Sequence, residues 1–324
     1  MLLVLMRVCC WLLIVALLGG AVHSQPNFFE IAREGSVENV RAAILAGANV
    51  NARGEHGETP LMHAAALNPT PEVVRALLDA GAHLEAHDES GVTSLMVAAR
   101  HNPNPDVLRV LLNDGANLEA RDAYRDTPLM HAAWSNENSE VVQALLDAGA
   151  NVNTHNERGL TPLMNAAWNN ANPKVLRALL DAGANVETRD AYGDTAVLLA
   201  ATSNQNADVM RALLDAGAYT KARTGIFDWT PLMLAASSNP NPEVVRALLD
   251  AGAELEARDQ RGETPLIYAA RHTSNPGVVL VLLDAGADAT ATNQAGRRTI
   301  DFAQDNEHLR GTDAYWQLND ASFD

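Results

Sequence analysis

The chain has 324 residues, of which 47% are hydrophobic, 5% aromatic and 19% charged, and its 23 Lys and Arg against 40 Asp and Glu leave a formal charge of −17 at pH 7. That much apolar material excludes an intrinsically disordered chain. A surface this acidic repels a phosphate backbone, and no basic stripe offsets it, so nucleic acid is excluded as a partner.

Residues 1–24 carry one charge, Arg7, then an apolar run from Val8 to Leu18 and the small-residue exit Gly19-Gly20-Ala21-Val22-His23-Ser24. A basic start, a short apolar centre and a small-residue exit describe a secretory signal peptide, with cleavage expected after Ser24. The apolar residues ahead of Arg7 are out of place in such a segment, and a start at Met6 rather than Met1 would remove them. The competing reading is an uncleaved anchor, but the apolar run is short of the roughly 20 residues a spanning helix needs. Cleavage would remove Cys9 and Cys10, the only cysteines. The mature protein would then have no thiol for a disulfide, a metal or a nucleophile. The expected location is outside the cytoplasm, in the periplasm or secreted beyond it, with no membrane association after cleavage.

Residues 25–324 read as one motif written about nine times. Thr59, Thr93, Thr127, Thr161, Thr195, Thr230, Thr264 and Thr299 follow one another at intervals of 34 or 35, and most open a phrase such as Thr59-Pro-Leu-Met-His-Ala-Ala65. A second phrase, Leu77-Leu-Asp-Ala-Gly-Ala82, recurs with its glycine at Gly115, Gly149, Gly183, Gly217, Gly252 and Gly286. A period of this length predicts a solenoid. Residues 25–58 are expected to form an N-terminal cap and residues 299–324 a degenerate C-terminal cap, with Tyr315 and Trp316 covering the last open face.

Within a unit, Thr followed by Pro sets an N-cap hydroxyl beside a first-turn proline and starts a short helix whose alanines allow close packing. The next loop supplies a second cap at Thr70, Asn104, Asn138, Asn172, Asn206, Asn241 and Asn275. The helix it starts carries an apolar stripe such as Val73, Val74, Leu77 and Leu78, and Gly81 ends it in the left-handed conformation. The remaining segment, Ala82 to Asp88 with a turn at Gly91, reads as a short hairpin-like finger.

These two phrases in register resemble the ankyrin repeat, over residues 26 to about 310. The resemblance implies an all-α solenoid of helix-turn-helix units with short fingers. It departs from the family pattern in two respects: Met replaces the usual His after the leucine, and an Asn-Pro-Asn-Pro loop lengthens the unit by one residue.

Catalytic and cofactor chemistry finds no support. The ten histidines fall in no metal-ligand spacing; His63 and His131 share one repeat position, and His87 and His155 another, so they are read as structural. Asp79, Asp147, Asp181, Asp215, Asp250 and Asp284 are also one position copied, mostly four residues after an arginine, and read as exposed ion pairs worth about 0.2–0.5 kcal/mol. No phosphate loop or nucleophile elbow occurs. The chain is therefore expected to have no catalytic residue, no cofactor and no metal.

The informative residues are those that depart from the repeat. In ankyrin binders the variable positions are the finger tips and the two places after Ala-Ala. Carried onto this sequence, they single out Arg100, His101, Trp134 and Trp168 after Ala-Ala, and Tyr124, Arg125, Tyr192, Phe227 and Trp229 on the fingers. Trp134 and Trp168 are expected to stand as successive rungs, and Trp, Tyr and Arg dominate interface energetics; the alternative is that the rings merely pack on one another. The expected function is an exported, non-enzymatic scaffold, monomeric, binding a protein partner through finger tips and the first-helix face. Two alternatives share the scaffold: an accessory or protective factor for a periplasmic enzyme in stress defence, and a secreted effector of host proteins.

Overall fold

A computed structural model describes residues 27–225 and 227–323; the expected signal peptide, its cleavage site and both cysteines lie outside the described residues. The described residues form eighteen helices and no strand. The first helices of successive units are α1 (Phe28–Glu34), α3 (Pro60–Leu67), α5 (Ser94–His101), α7 (Pro128–Ser135), α9 (Pro162–Asn169), α11 (Ala196–Ser203), α13 (Pro231–Ser238), α15 (Pro265–His272) and α17 (Thr299–Ala303). The second helices are α2 (Val37–Leu45), α4 (Pro71–Asp79), α6 (Pro105–Asn113), α8 (Ser139–Asp147), α10 (Pro173–Asp181), α12 (Ala207–Asp215), α14 (Pro242–Asp250), α16 (Pro276–Asp284) and α18 (Asp313–Ala321). First helices stack on first helices and second on second, which is the expected solenoid.

Local chemistry explains most of the starts, although Thr195 at the start of α11 makes no side-chain cap bond. Thr59 caps α3 by accepting from the Met62 amide at 3.3 Å, and the Met62 thioether accepts the Thr59 amide at 3.4 Å. Met96, Met164 and Met233 do the same, so the methionine that departs from the family phrase serves as a weak reciprocal cap. The second helices are capped as expected by Asn104, Asn138, Asn172, Asn206, Asn241 and Asn275, whereas Thr70 makes no side-chain cap bond.

The extra loop residue turns out to be structural. Asn68, Asn102, Asn136, Asn170, Asn204 and Asn239 are all buried. Each donates through its amide nitrogen to two carbonyls of the preceding repeat; Asn102, for example, reaches the Ala65 and Asn68 oxygens at 2.9 Å each. Each also accepts one amide of its own loop, as Asn102 does from Asn104 at 3.0 Å. The ladder is interrupted at Thr273 and resumes at Asn306.

Fingers are closed by one side chain. Asp88 accepts the Ser90 and Val92 amides at 2.8 and 2.9 Å, and Asp122, Asn156, Asp190, Asp259 and Asn293 repeat that bracket. At Gly91, φ is +78°, and an added Cβ would lie 3.2 Å from the next finger's backbone, so glycine is required twice over. Isolated antiparallel bridges at His87–Thr93 and Thr292–Arg298 justify the hairpin-like description.

Three expectations are corrected. The cap of α17 is Arg298, with Thr299 in its first turn, so the unit after Thr264 keeps a 34-residue period. Among the described residues, no arginine of the second helices pairs with the aspartate four residues on. Arg211 and Arg246 instead reach the first-turn acids Asp208 and Glu243 at 2.9 and 3.3 Å, Arg75 reaches Asp114 of the next repeat, and Arg109, which has Asn113 four residues on, reaches its first-turn acid Asp106 at 2.7 Å. An arginine placed N-terminal to its acid is the weaker orientation on a helix. At the C-terminus, α18 does cover the last repeat, but through buried Ala314 and Leu318; Tyr315 is half-buried and Trp316 is exposed.

Candidate partner-binding surface

The first-helix ends and the fingers meet along one face, where the side chain after Ala-Ala in one repeat lies beside the finger of the next. Trp134 and Trp168 lie in the last turns of α7 and α9. Both are half-buried, with ring centroids 5.6 Å apart at 75°, an edge-to-face pair. The two rungs thus touch each other while remaining partly exposed. With Arg100, Tyr124 and Arg158 they line a cleft of about 410 Å³ whose floor is Met130, His131 and Asn165.

The cleft is held by buried polar pairs. His131 Nε2 lies 3.0 Å from Asp122 Oδ2, while Asp122 Oδ1 brackets the finger amides of Tyr124 and Asp126. Burial alone would raise the Asp122 carboxyl; the His131 contact and the finger amides outweigh it and hold it below the usual carboxylate value. Asp126 is pushed up by burial, with Asn156 donating to it at 2.8 Å and the nearby Asp122 charge opposing its ionisation. The same device recurs where the Tyr268 hydroxyl donates to Asp259 at 2.7 Å, so the residue before Ala-Ala anchors a finger bracket in both repeats. His63 occupies the equivalent place yet meets the Phe29 ring instead, so His63 and His131 share a position but not a role.

The expected contact residues divide into groups. Arg100, Tyr124, Trp134 and Trp168 come together in the main cleft. Tyr192 joins Trp168 at an adjoining notch. Phe227 and Trp229 lie apart, with Tyr268, Arg271 and His272. There Trp229 is half-buried, its ring 4.8 Å from Tyr268, and Phe227 stands 52% exposed above it. Arg125 sits on the outer side of the fingers with His155 and Arg189, and His101 is exposed outside all of these recesses. Arg158, a finger-tip residue, lines both the main cleft and the notch. Sequence reasoning overlooked Asp126 and Asp194, each of which lines a recess; the signal available was that the residue just before each cap threonine varies between Val, Asp, Leu, Trp and Glu.

Among the described residues, no three His, Cys, Asp or Glu side chains gather as metal ligands, and no helix is long and apolar enough to cross a membrane. A search of curated proteins returns no match. The family model described as ankyrin repeats, three copies, matches residues 28–122, 129–224 and 198–293, well over half of the chain. With stacked helix pairs, threonine-capped first helices and bracketed fingers repeating through the same span, the chain belongs to the ankyrin-repeat family.

Proposed function

We propose that the protein is a non-enzymatic scaffold that holds a protein partner on the face shared by its first helices and fingers, and that it works after export, in the periplasm. The observation that carries the binding surface is the Trp134–Trp168 pair. In a chain with 5% aromatic residues, two tryptophans stand side by side and half-exposed over a cleft flanked by Tyr124 and Arg100. Large rigid rings beside an arginine are the side chains that contribute most to interfaces. Backbone strain falls on two of the fingers that carry expected contact residues. Arg125 and Asp228 are the two non-glycine residues with positive φ among the described residues, and they sit on the fingers that carry Tyr124 and Phe227. Strain retained against the repeat's own glycine preference is a mark of functional segments. Export rests on the composition of residues 1–24 alone.

The test is co-purification from envelope extract with the wild-type protein and with the double variant Trp134→Ala, Trp168→Ala, after circular dichroism has shown equal helicity. Partners retained by the wild type and lost by the variant are expected. Equal recovery of every partner would remove this face from consideration. Export is checked separately by the N-terminal sequence of the protein from its native host, where Gln25 is expected.

A further inference from the structure

The residue immediately before the cap threonine is a carboxylate in four repeats, Glu58, Asp126, Asp194 and Glu263, and the structure treats the four differently. Glu58 accepts the His56 amide of its own finger at 2.9 Å. Asp126 accepts from the Asn156 amide of the next finger at 2.8 Å. Glu263, almost wholly buried, accepts from Asn293 at 3.1 Å and is gripped by both terminal nitrogens of Arg271, one at 2.9 Å. Arg271 lies eight residues downstream at the end of α15, and its guanidinium rests 4.1 Å from the centre of the Phe302 ring. One repeat therefore contains a complete guanidinium receptor, occupied by its own arginine.

Asp194 has the same position and neither partner. The next finger offers Thr224 where Asn156 and Asn293 stand, and the place eight residues downstream is Thr202. The Thr202 hydroxyl is engaged with the Leu198 carbonyl at 2.9 Å. Among the described residues the Asp194 carboxylate accepts no hydrogen bond, and its Oδ1 is buried without a partner. What fills the place of Arg271 is space: a notch of about 230 Å³ walled by Trp168, Tyr192 and Leu199, with Thr202, Asp190 and Arg158 at its rim. No ion pair within 4 Å joins Arg158 to Asp190 or Asp194.

The geometry points to this notch as the receptor for an arginine side chain of the bound protein, its guanidinium donating to Asp194 and lying against Trp168 and Tyr192. The reading rests on the scaffold function proposed above and gives that function a chemical preference. Leaving a buried carboxylate oxygen unpaired is costly, and a planar donor that satisfies it recovers that cost. Arginine is favoured over lysine because its fork can serve a carboxylate while its face stacks on an aromatic ring, as Arg271 shows within this chain.

Two measurements on the full chain test it without knowledge of the natural partner. First, Thr202→Arg installs the missing guanidinium in place: it is expected to raise the thermal midpoint by about 2 °C and to lose that gain when combined with Asp194→Asn. An equal gain in both backgrounds overturns the proposal. Second, the capped tripeptide acetyl-Gly-Arg-Gly-amide is titrated against its neutral citrulline isostere by NMR. The arginine form is expected to bind at least tenfold more tightly to the wild type, and the preference is expected to vanish in Asp194→Asn, a near-isosteric change that remains informative if Thr202→Arg fails to fold. Equal binding of the two peptides to the wild type also overturns it. Neither measurement depends on co-purified partners, so the scaffold reading can stand where this one falls.

Discussion

Arg125 adopts φ +66° at the finger position where other repeats hold Gly57, Gly91, Gly159, Gly193, Gly262 and Gly296. A left-handed conformation costs a residue with a Cβ about 1–2 kcal/mol. Arg125→Gly is therefore expected to stabilise the protein by about 1 kcal/mol, read as a higher urea midpoint with an unchanged slope; a loss of stability would show that the exposed arginine makes a compensating contact. Asp194 makes a different case, because its carboxyl is pushed up by burial, reinforced by the neighbouring Asp190 charge and opposed by Arg189. A carboxyl raised in the folded state contributes stability that is complete below the unfolded value of about 4 and is lost as pH rises through the folded value. Asp194→Asn should thus be more stable than the wild type at pH 7, with the difference shrinking towards zero as pH falls below about 4. Asp122, held below the usual value, has the opposite sign, and its contribution is present at neutral pH and lost in acid. Urea midpoints of the Asp194→Asn and Asp122→Asn variants at pH 7 and in mild acid separate the two.

At the scale of the helix pair, the asparagine ladder shows where stability between repeats resides. Asn170 donates to the Ala133 and Asn136 carbonyls at 3.1 and 3.0 Å and accepts the Asn172 amide at 2.9 Å, with 2% of its surface exposed. Truncation to Ala leaves two buried carbonyls and one half-buried amide without partners, each penalised by up to about 1–3 kcal/mol. Partial rescue by water reduces the sum, so Asn170→Ala is expected to lose about 2–4 kcal/mol, measured by urea denaturation; a loss under about 1 kcal/mol would mean that the loop re-forms its bonds elsewhere. The helices themselves were legible in the sequence because their determinants are local: a threonine cap, a proline in the first turn and a glycine at the end act within a few residues. The ladder was visible only as a repeated Asn-Pro-Asn-Pro loop, since its bonds reach 33 to 38 residues back and no local rule names their acceptors. The arginine–aspartate pairs failed for the complementary reason. Spacing makes a contact possible, but the guanidinium had nearer or better-oriented acids, some of them in the neighbouring repeat. The candidate surface was partly legible. Trp134, Trp168 and Tyr124 are conspicuous because they break the repeat, whereas Asp194 matters only through the absence of partners, which depends on what the next finger happens to carry.

Across the whole molecule each repeat packs chiefly on its two neighbours, so stability is close to a sum of units and interfaces, and the end units decide whether the stack frays. The N-terminal pair shows how an end is made compatible with water: in α2 only Val40 is buried, and Leu45 at its end is 88% exposed. At the other end α18 docks on α16 with Leu318 and Ala314 inside, closing over an α16 that is apolar almost throughout, Val278, Val279, Val281 and Leu282 all being buried. Unseating that helix uncovers the most hydrophobic of the second helices. Leu318→Asp places a charge at a site with no exposed surface and no partner, so α18 should detach rather than bury it. Because coupling runs from neighbour to neighbour, the damage should decay along the stack: amide exchange should accelerate first in α16 and α15, less in α13 and α14, and hardly at all in α7 to α10 beneath the tryptophan pair. Hydrogen exchange followed by mass spectrometry reads this gradient directly. A uniform loss of protection from α1 to α16 would instead show that the array unfolds as a single cooperative body, and a change near Trp134 would then report on stability everywhere and not only on the binding face.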